Sequence, residues 1–333
     1  MRKTVCALLL SVPFVLSLAA QQAPAPAAPA APPAPARSPA GNDISWAFAA
    51  TNGALPAEAP TTPNSLPGST KTYMRSQIDD LSNPPDWFPD EHQPAPSIVM
   101  KGHDAALACG ACHLMSGSGH PESADLSGLP AEYIRRTMMD FKSAIRVEVN
   151  RMNTISKALS NEEIQQAADF FGALKPAKWT EVKEAAAVPK TFVGGGRMRY
   201  ASPEGGTEPL GNRIITVPAD QSRVTKRDPH SGFVAYVPVG SIKKGEALVK
   251  TGGGRSVQCT ICHGDALKGL GNVPRLAGRH PAYIARQLYM FKDGRRNGGD
   301  AALMKKPVAS LTDDDIISIA AYLASLDPTS PTN

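Results

Sequence analysis

The sequence predicts a mainly α fold in which two similar helical domains follow one another in tandem, preceded and joined by irregular segments. Three observations carry that expectation. A pentapeptide of the form Cys-x-x-Cys-His occurs twice, 150 residues apart. The residues downstream of the two copies match one another in the same order. The matched stretches carry apolar residues at helical spacing, whereas the stretches outside them are broken by Pro and Gly.

The chain opens on MRKTVCALLLSVPFVLSLAA. Arg2 and Lys3 form a positive start, residues 7–18 form an apolar core, and Ser17, Ala19 and Ala20 are the small residues a signal peptidase requires. Residues 1–20 are therefore expected to be an export signal, removed near Ala20. The apolar run is too short to span a bilayer as an anchor. Cys6 lies at the start of that run and leaves with it. In residues 21–40, sixteen of twenty positions are Ala or Pro, a composition that cannot bury a core and favours extended conformations. This stretch reads as a tether. Residues 41–96 read as an irregular extension.

Two helical units follow, expected at 97–175 and 240–327. The 150-residue offset pairs Gly128 with Gly278, Tyr133 with Tyr283, Ile134 with Ile284, Phe141 with Phe291, Lys142 with Lys292 and Arg146 with Arg296. A two-residue insertion then moves the offset to 152, which pairs Met152 with Met304, Leu159 with Leu311, Ile164 with Ile316 and Ala168 with Ala320. One unit used twice explains this order. Each last helix opens on a capping pattern, Ser160 with Glu163 and Thr312 with Asp315. A helix is also expected before each pentapeptide, around 98–107 and 241–250. Between the units, residues 176–239 hold Pro, a Gly triplet at 194–196 and short strand-like runs, RIITV and FVAYV.

Composition excludes two classes. The formal charge of +5 falls to +3 once Arg2 and Lys3 are removed, too little for a nucleic-acid binder. No apolar run reaches the ~18–20 residues of a membrane span, which argues against an integral membrane protein. The densest basic clusters are Arg295–Arg296 with Lys305–Lys306, on either side of Met304, and Lys243–Lys244.

The chemistry lies in CGACH, residues 109–113, and CTICH, residues 259–263. Cys-x-x-Cys-His is the attachment pattern of c-type haem. Two thiols three positions apart reach the two vinyl groups of one porphyrin, and the next histidine falls under the iron. A redox thiol pair, a zinc site or structural disulfides would each use Cys-x-x-Cys, but none accounts for a histidine directly after both copies. Cys109, Cys112 and His113 are thus expected to hold one covalent haem c, and Cys259, Cys262 and His263 a second. Met152 and Met304 hold matched places and are the expected sixth ligands of the two irons. Met115, Met138, Met139 and Met290 read as packing, and His92, His103, His120, His230 and His280 as surface or loop residues. A carbonyl near Pro121 or Pro274 is a candidate partner for the Nδ1–H of each ligand histidine.

On these residues the sequence resembles a dihaem class I cytochrome c, a bacterial periplasmic family of two fused cytochrome c-like helical domains. The resemblance rests on CGACH and CTICH, on Met152 and Met304, and on the closing helices NEEIQQAADFFGAL and DDDIISIAAYLASL. It covers about two-thirds of the chain and omits residues 41–96 and 176–239. It implies that a glycine in each first helix crosses an aromatic residue in the last, Gly102 with Phe170 and Gly245 with Tyr322. It further implies an electron carrier that cycles its irons between ferric and ferrous and meets redox protein partners. A cytochrome subunit of a periplasmic dehydrogenase or oxidase, and a dihaem peroxidase, are the alternatives.

The mature protein, exported with a haem-maturation system, is expected to show a mass equal to the chain without residues 1–20 plus two haems. Mass spectrometry checks this. Cys262→Ala should impair attachment at the second pentapeptide and spare the first.

Overall fold

The computed structural model describes residues 36–148 and 151–331, so the expected export signal and most of the Ala/Pro stretch lie outside the described residues. In chain order, β1 (Pro63–Asn64) pairs antiparallel with β2 (Tyr73–Met74), α1 (Arg75–Asp79) follows, and α2 (Ser97–Met100) is a single turn. The first helical unit continues with α3 (Gly110–His113), α4 (Ala131–Lys142), α5 (Met152–Ala158) and α6 (Asn161–Ala173). The middle of the chain holds β3 (Thr180–Glu184), β4 (Ala187–Pro189), β5 (Thr191–Val193), β6 (Arg199–Ala201), β7 (Thr207–Pro209), β8 (Ile215–Pro218), α7 (Gln221–Thr225) and β9 (Phe233–Val237). The second unit is α8 (Ser241–Thr251), α9 (Thr260–His263), α10 (Pro281–Lys292), α11 (Ala301–Ala309) and α12 (Asp313–Ser325).

The repeat is visible in the packing. In the first unit Ile134, Ile164, Ala168, Phe170 and Phe171 share one buried cluster. In the second, Ile284, Ile316, Ala320, Tyr322 and Leu323 do the same. Both closing helices carry the expected caps. Ser160 Oγ accepts from the Glu163 amide at 3.1 Å and Glu163 returns the bond at 2.8 Å. Thr312 and Asp315 repeat the arrangement at 3.2 and 3.1 Å. Such reciprocal bonds satisfy amides that no helical carbonyl can reach. Asp315 has a second use. Burial raises its pKa, but bonds from Lys244, the Thr312 backbone and Arg255 outweigh that and hold it well below the carboxylate range.

The two units differ at their first helix. Gly245 lies in α8, and a Cβ there would collide with the Ser318 carbonyl and come within 2.8 Å of the Tyr322 Cβ. The helices therefore cross at backbone contact, as expected for Gly245 with Tyr322. The first unit departs from this. Only one turn of the helix expected around 98–107 forms. Pro94 and Pro96 precede it, and Asp104 adopts a left-handed φ of 47° just beyond it. Gly102 consequently faces the backbone of its own loop at residues 106–108 and not Phe170. Its amide donates to Ser82 O at 2.7 Å, and the Ala108 amide to Leu81 O at 3.1 Å, so the N-terminal extension fills the place of the missing turns.

The segments expected to be irregular are in part built structure. Residues 176–239 form a three-stranded sheet in the order β3-β9-β8 and two hairpins, β4 with β7 and β5 with β6. β3 runs parallel to β9, from Thr180↔Phe233 to Glu184↔Val237, and β8 pairs antiparallel with β9. The FVAYV run alternates buried and half-buried side chains, the period of a strand with one covered face. Residues 41–96 also order themselves by packing. Ile44 and Trp46 enter the core of the second unit. Leu66, Ile78 and Trp87 make a small core of their own, in which Tyr73 meets Trp87 edge to face at 4.8 Å.

Replacement of Gly245 by Ala is expected to destabilise the protein by about 2–3 kcal/mol, the cost of forcing volume into a closed helix crossing. Chemical denaturation of the haem-loaded protein checks it.

Candidate functional site

Each pentapeptide forms one helical turn, α3 and α9, with its first cysteine at the N-cap. A single turn brings both thiols and the histidine to one side of the chain. His113 and His263 are both buried. His113 Nδ1 bonds to Ala124 O at 2.8 Å, and His263 Nδ1 to Pro274 O at 2.8 Å. These carbonyls are themselves 150 residues apart. The bond fixes the tautomer with the proton on Nδ1 and leaves the Nε2 lone pair available to a metal. Burial lowers both imidazole pKa values, which keeps the rings neutral. The expectation for Pro274 holds. In the first unit the acceptor is Ala124, and the Pro121 carbonyl instead accepts from Arg286 at 2.9 Å.

Burial pushes the Cys109 thiol up to about 12 and Cys259 up to about 11. Neither is the low-pKa thiolate that a disulfide-exchange pair needs. Among the described residues no cluster of His, Cys, Asp and Glu suits a metal ion.

Met152 opens α5 and Met304 sits within α11. Both are half-buried and pack against the core cluster of their own unit, as do Cys109 and Cys259. One bond recurs beneath them. Lys142 Nζ donates to Leu159 O, and Lys292 Nζ donates to Leu311 O. Each anchors the loop after the methionine helix to the end of α4 or α10. In the first unit Asn153 adds a brace, its Nδ2 donating to Phe141 O and Arg146 O, each at 2.8 Å.

A cavity of about 400 Å³ runs through the first unit, within the usual size of a cofactor pocket, roughly 300–1,000 Å³. Cys109, Cys112 and His113 line one wall, and Leu129, Ile134 and Phe171 are among its apolar lining. Met152 lines it, as do Met138 and Met290, which the sequence assigned to packing alone. The other end is charged. Arg146, Arg279, Tyr133, Tyr283 and Gln287 reach it where the two units meet.

That meeting has internal two-fold character. Arg146 donates to Tyr283 Oη at 3.5 Å and to Gln287 Oε1 at 2.6 Å, while Arg296 donates to Tyr133 Oη at 2.8 Å. Arg146 and Arg296 pair as an antiparallel bridge. Residues matched in sequence thus exchange contacts across the interface, the pattern of an isologous dimer within one chain. Two ion pairs flank it, Arg275 with Asp125 and Arg286 with Glu122, both at 2.7 Å and both buried. Arg146, Arg279 and Arg296 have no such carboxylate among the described residues, and the Nε of Arg146 and of Arg279 has no partner. Burial raises the Tyr133 and Tyr283 phenols, but these three guanidinium groups outweigh it and lower both. A cavity with thiols and an imidazole on one wall, apolar sides and unneutralised arginines at one end fits an amphipathic macrocycle bearing carboxylates.

Two expectations are corrected here. His280, expected on the surface or in a loop, lies in the loop at the start of α10 but not on the surface. It is buried, and its Nδ1 lies 3.0 Å from Thr180 Oγ1. The basic cluster beside Met304 is also smaller than the sequence suggests. Arg296 is committed to Tyr133, and Arg295 pairs with Asp293 and covers the Phe48 ring at 4.5 Å. The interface arginines are the functional residues the sequence reading left aside, although the pairing of Arg146 with Arg296 and of Tyr133 with Tyr283 was its available signal.

Residues 242–327 match the profile of the family described as Cytochrome c. The thiosulfate dehydrogenase electron acceptor of Thiomonas intermedia is 26% identical over 244 residues, which cover 72% of this chain and 87% of that protein. Cytochrome c4 of Pseudomonas aeruginosa is 26% identical over 233 residues, 68% of this chain and 87% of that one. Cytochrome c-554(548) of Halomonas halodenitrificans is 41% identical over 68 residues, 20% of this chain and 82% of that one.

Asp125→Ala strands Arg275 in the interface and is expected to cost about 3–5 kcal/mol, the penalty of breaking a buried ion pair from one side. A shift in the urea midpoint of the haem-loaded protein reads it.

Proposed function

The chain belongs to the cytochrome c family, and from that premise we propose that it is an exported dihaem carrier whose haems are each held by His and Met. Its cofactor is haem c, and it is an electron-transfer protein, not itself an enzyme. Haem c, once bound, supplies an iron that cycles between ferric and ferrous. In this reading residues 97–175 and 240–327 are the two haem domains. Cys109 and Cys112 hold the first haem with His113 and Met152 as axial ligands. Cys259 and Cys262 hold the second, with His263 and Met304.

The observation that carries the reading is a duplicated support. The Nδ1–carbonyl bond behind each histidine and the lysine–carbonyl bond behind each methionine recur at matched positions. Such support fixes the orientation of a ligating imidazole and thioether, and a methionine ligand raises the potential of a carrier. Arg146, Arg279 and Arg296 are assigned to the haem propionates, whose charge would compensate theirs. No helix among the described residues is long and apolar enough to cross a membrane. Export to the periplasm rests on residues 1–20. The partners are redox proteins. The name of the Thiomonas relative suggests that a dehydrogenase of reduced sulfur compounds is one donor class to test.

Met304→Ala is the direct test of the ligand set. It is expected to remove the methionine–iron absorption band of one haem, add partial high-spin character and lower one of the two potentials, leaving the other haem unchanged. If both bands survive replacement of Met152 and Met304 together, the axial ligands lie elsewhere.

A further inference from the structure

The two attachment turns meet solvent very differently. Ala111 in the first pentapeptide is 1% exposed, while its counterpart Ile261 is 65% exposed. Cys112 is half-buried and Cys262 exposed. After the histidine, Leu114, Met115 and residues 117–119 are buried. In the second unit Asp265, Ala266 and Leu270 are exposed, the last at 62%.

The cover over the first turn comes from the two segments that have no counterpart in the repeat. Arg227, just past α7, donates from Nη1 to Ala111 O inside the pentapeptide and from Nε to Ile78 O at 2.8 Å. Trp87 Nε1 bonds to Lys226 O at 2.7 Å, and Arg75 to Thr225 O at 3.2 Å. Trp179, Val224 and Phe233 pack on Leu114, and Trp179 Nε1 reaches Gly119 O at 3.1 Å. The extension and the middle segment are thereby tied to one another across the first attachment turn.

We infer that redox partners dock on one face of this protein, at the second attachment turn, and that the chain itself closes the equivalent face of the first. The inference rests on the dihaem reading above. The partner it fits is a protein with an apolar centre and an acidic rim. Ile261 within CTICH, and Val257 and Leu270 on the loops on either side of it, are exposed apolar side chains. Ser256 Oγ bonds to Pro307 O at 2.8 Å, which holds this loop against α11. α11 brings the exposed Lys305 and Lys306, and Lys268 lies two residues before Leu270. None of the three forms an ion pair among the described residues, and Asp265 is the single acid between Cys262 and Leu270. An apolar patch with a surplus of free positive charge at its rim suits the small, weak interfaces of redox encounters. The rim charges act chiefly on the rate and orientation of encounter.

The test maps the footprint of a defined probe, oxidised flavodoxin, an acidic redox protein. The ferric protein is first shown to carry two haems per chain by absorbance. A count below two would overturn the dihaem reading and the inference with it; with two haems present, the footprint and the variants decide the inference. Nitrogen-15 NMR titration should then shift amides of residues 255–271 and leave residues 107–120 unmoved. Ile261→Glu, and separately Leu270→Glu, should each weaken the complex about tenfold through apolar loss and like-charge repulsion. Ser222→Glu, an exposed change on the cover of the first turn, should leave the affinity unchanged. Shifts at residues 107–120, an affinity insensitive to both glutamates, or no shift at either turn would overturn the inference.

Discussion

Three guanidinium groups, those of Arg146, Arg279 and Arg296, meet between the two helical units and form no ion pair among the described residues. An unpaired buried charge is among the most costly features a protein can hold, and Arg146 and Arg279 are both buried. The surrounding phenols respond by lowered pKa values, Tyr133 to about 7. The interface is therefore suited to an added anion. In the proposed dihaem reading, haem propionates would meet that need and would place cofactor binding and the docking of the two units under one electrostatic condition. A ligand that binds only the folded state adds its binding free energy to stability. Attachment and interface formation should then reinforce one another.

The same interface shows what duplication achieves. Arg146 bonds to Tyr283 and Arg296 to Tyr133, so each unit offers the other the residues it also keeps for itself. A two-fold arrangement of this kind needs only one invented surface. The ion pairs Asp125–Arg275 and Glu122–Arg286 break the symmetry, because both acids lie in the first unit and both arginines in the second. They specify which unit takes which side.

The legible part of the protein was its local chemistry. The attachment turns, the capping boxes and the closing helices follow from spacing within a dozen residues, where periodicity and capping rules apply, and the matched methionines follow from the internal repeat. Gly245 against Tyr322 came from the family resemblance and not from spacing. What escaped depends on contacts distant in sequence. Trp87 meets Lys226 across 139 residues, and β3 pairs in parallel with β9 across the whole middle segment. No local pattern marks such partners. Gly102 misled because Pro96 and the left-handed Asp104 ended its helix early, and the extension took the vacated place. Arg296 misled in the other direction. A basic dipeptide looks like a solvated patch, but its side chain is drawn inward by Tyr133 and Gln287.

Duplication by itself yields two equal sites, and equality is a poor property in a carrier that must receive an electron from one protein and deliver it to another. Distinction has to come from residues outside the repeat. Here the two unrepeated segments do different things at different ends. Ile44 and Trp46 complete the core of the second unit from below, leaving its attachment turn open. Residues 75–87 and 224–233 close over the first turn and exclude water from Leu114 and Ala111. Exclusion of water also alters the environment of the bound group, since a drier, lower-dielectric surround disfavours the more highly charged ferric state. In the dihaem reading, closure of one turn would separate the two centres in access and in potential, and the residues that provide it, 75–87 and 224–233, lie outside the repeat.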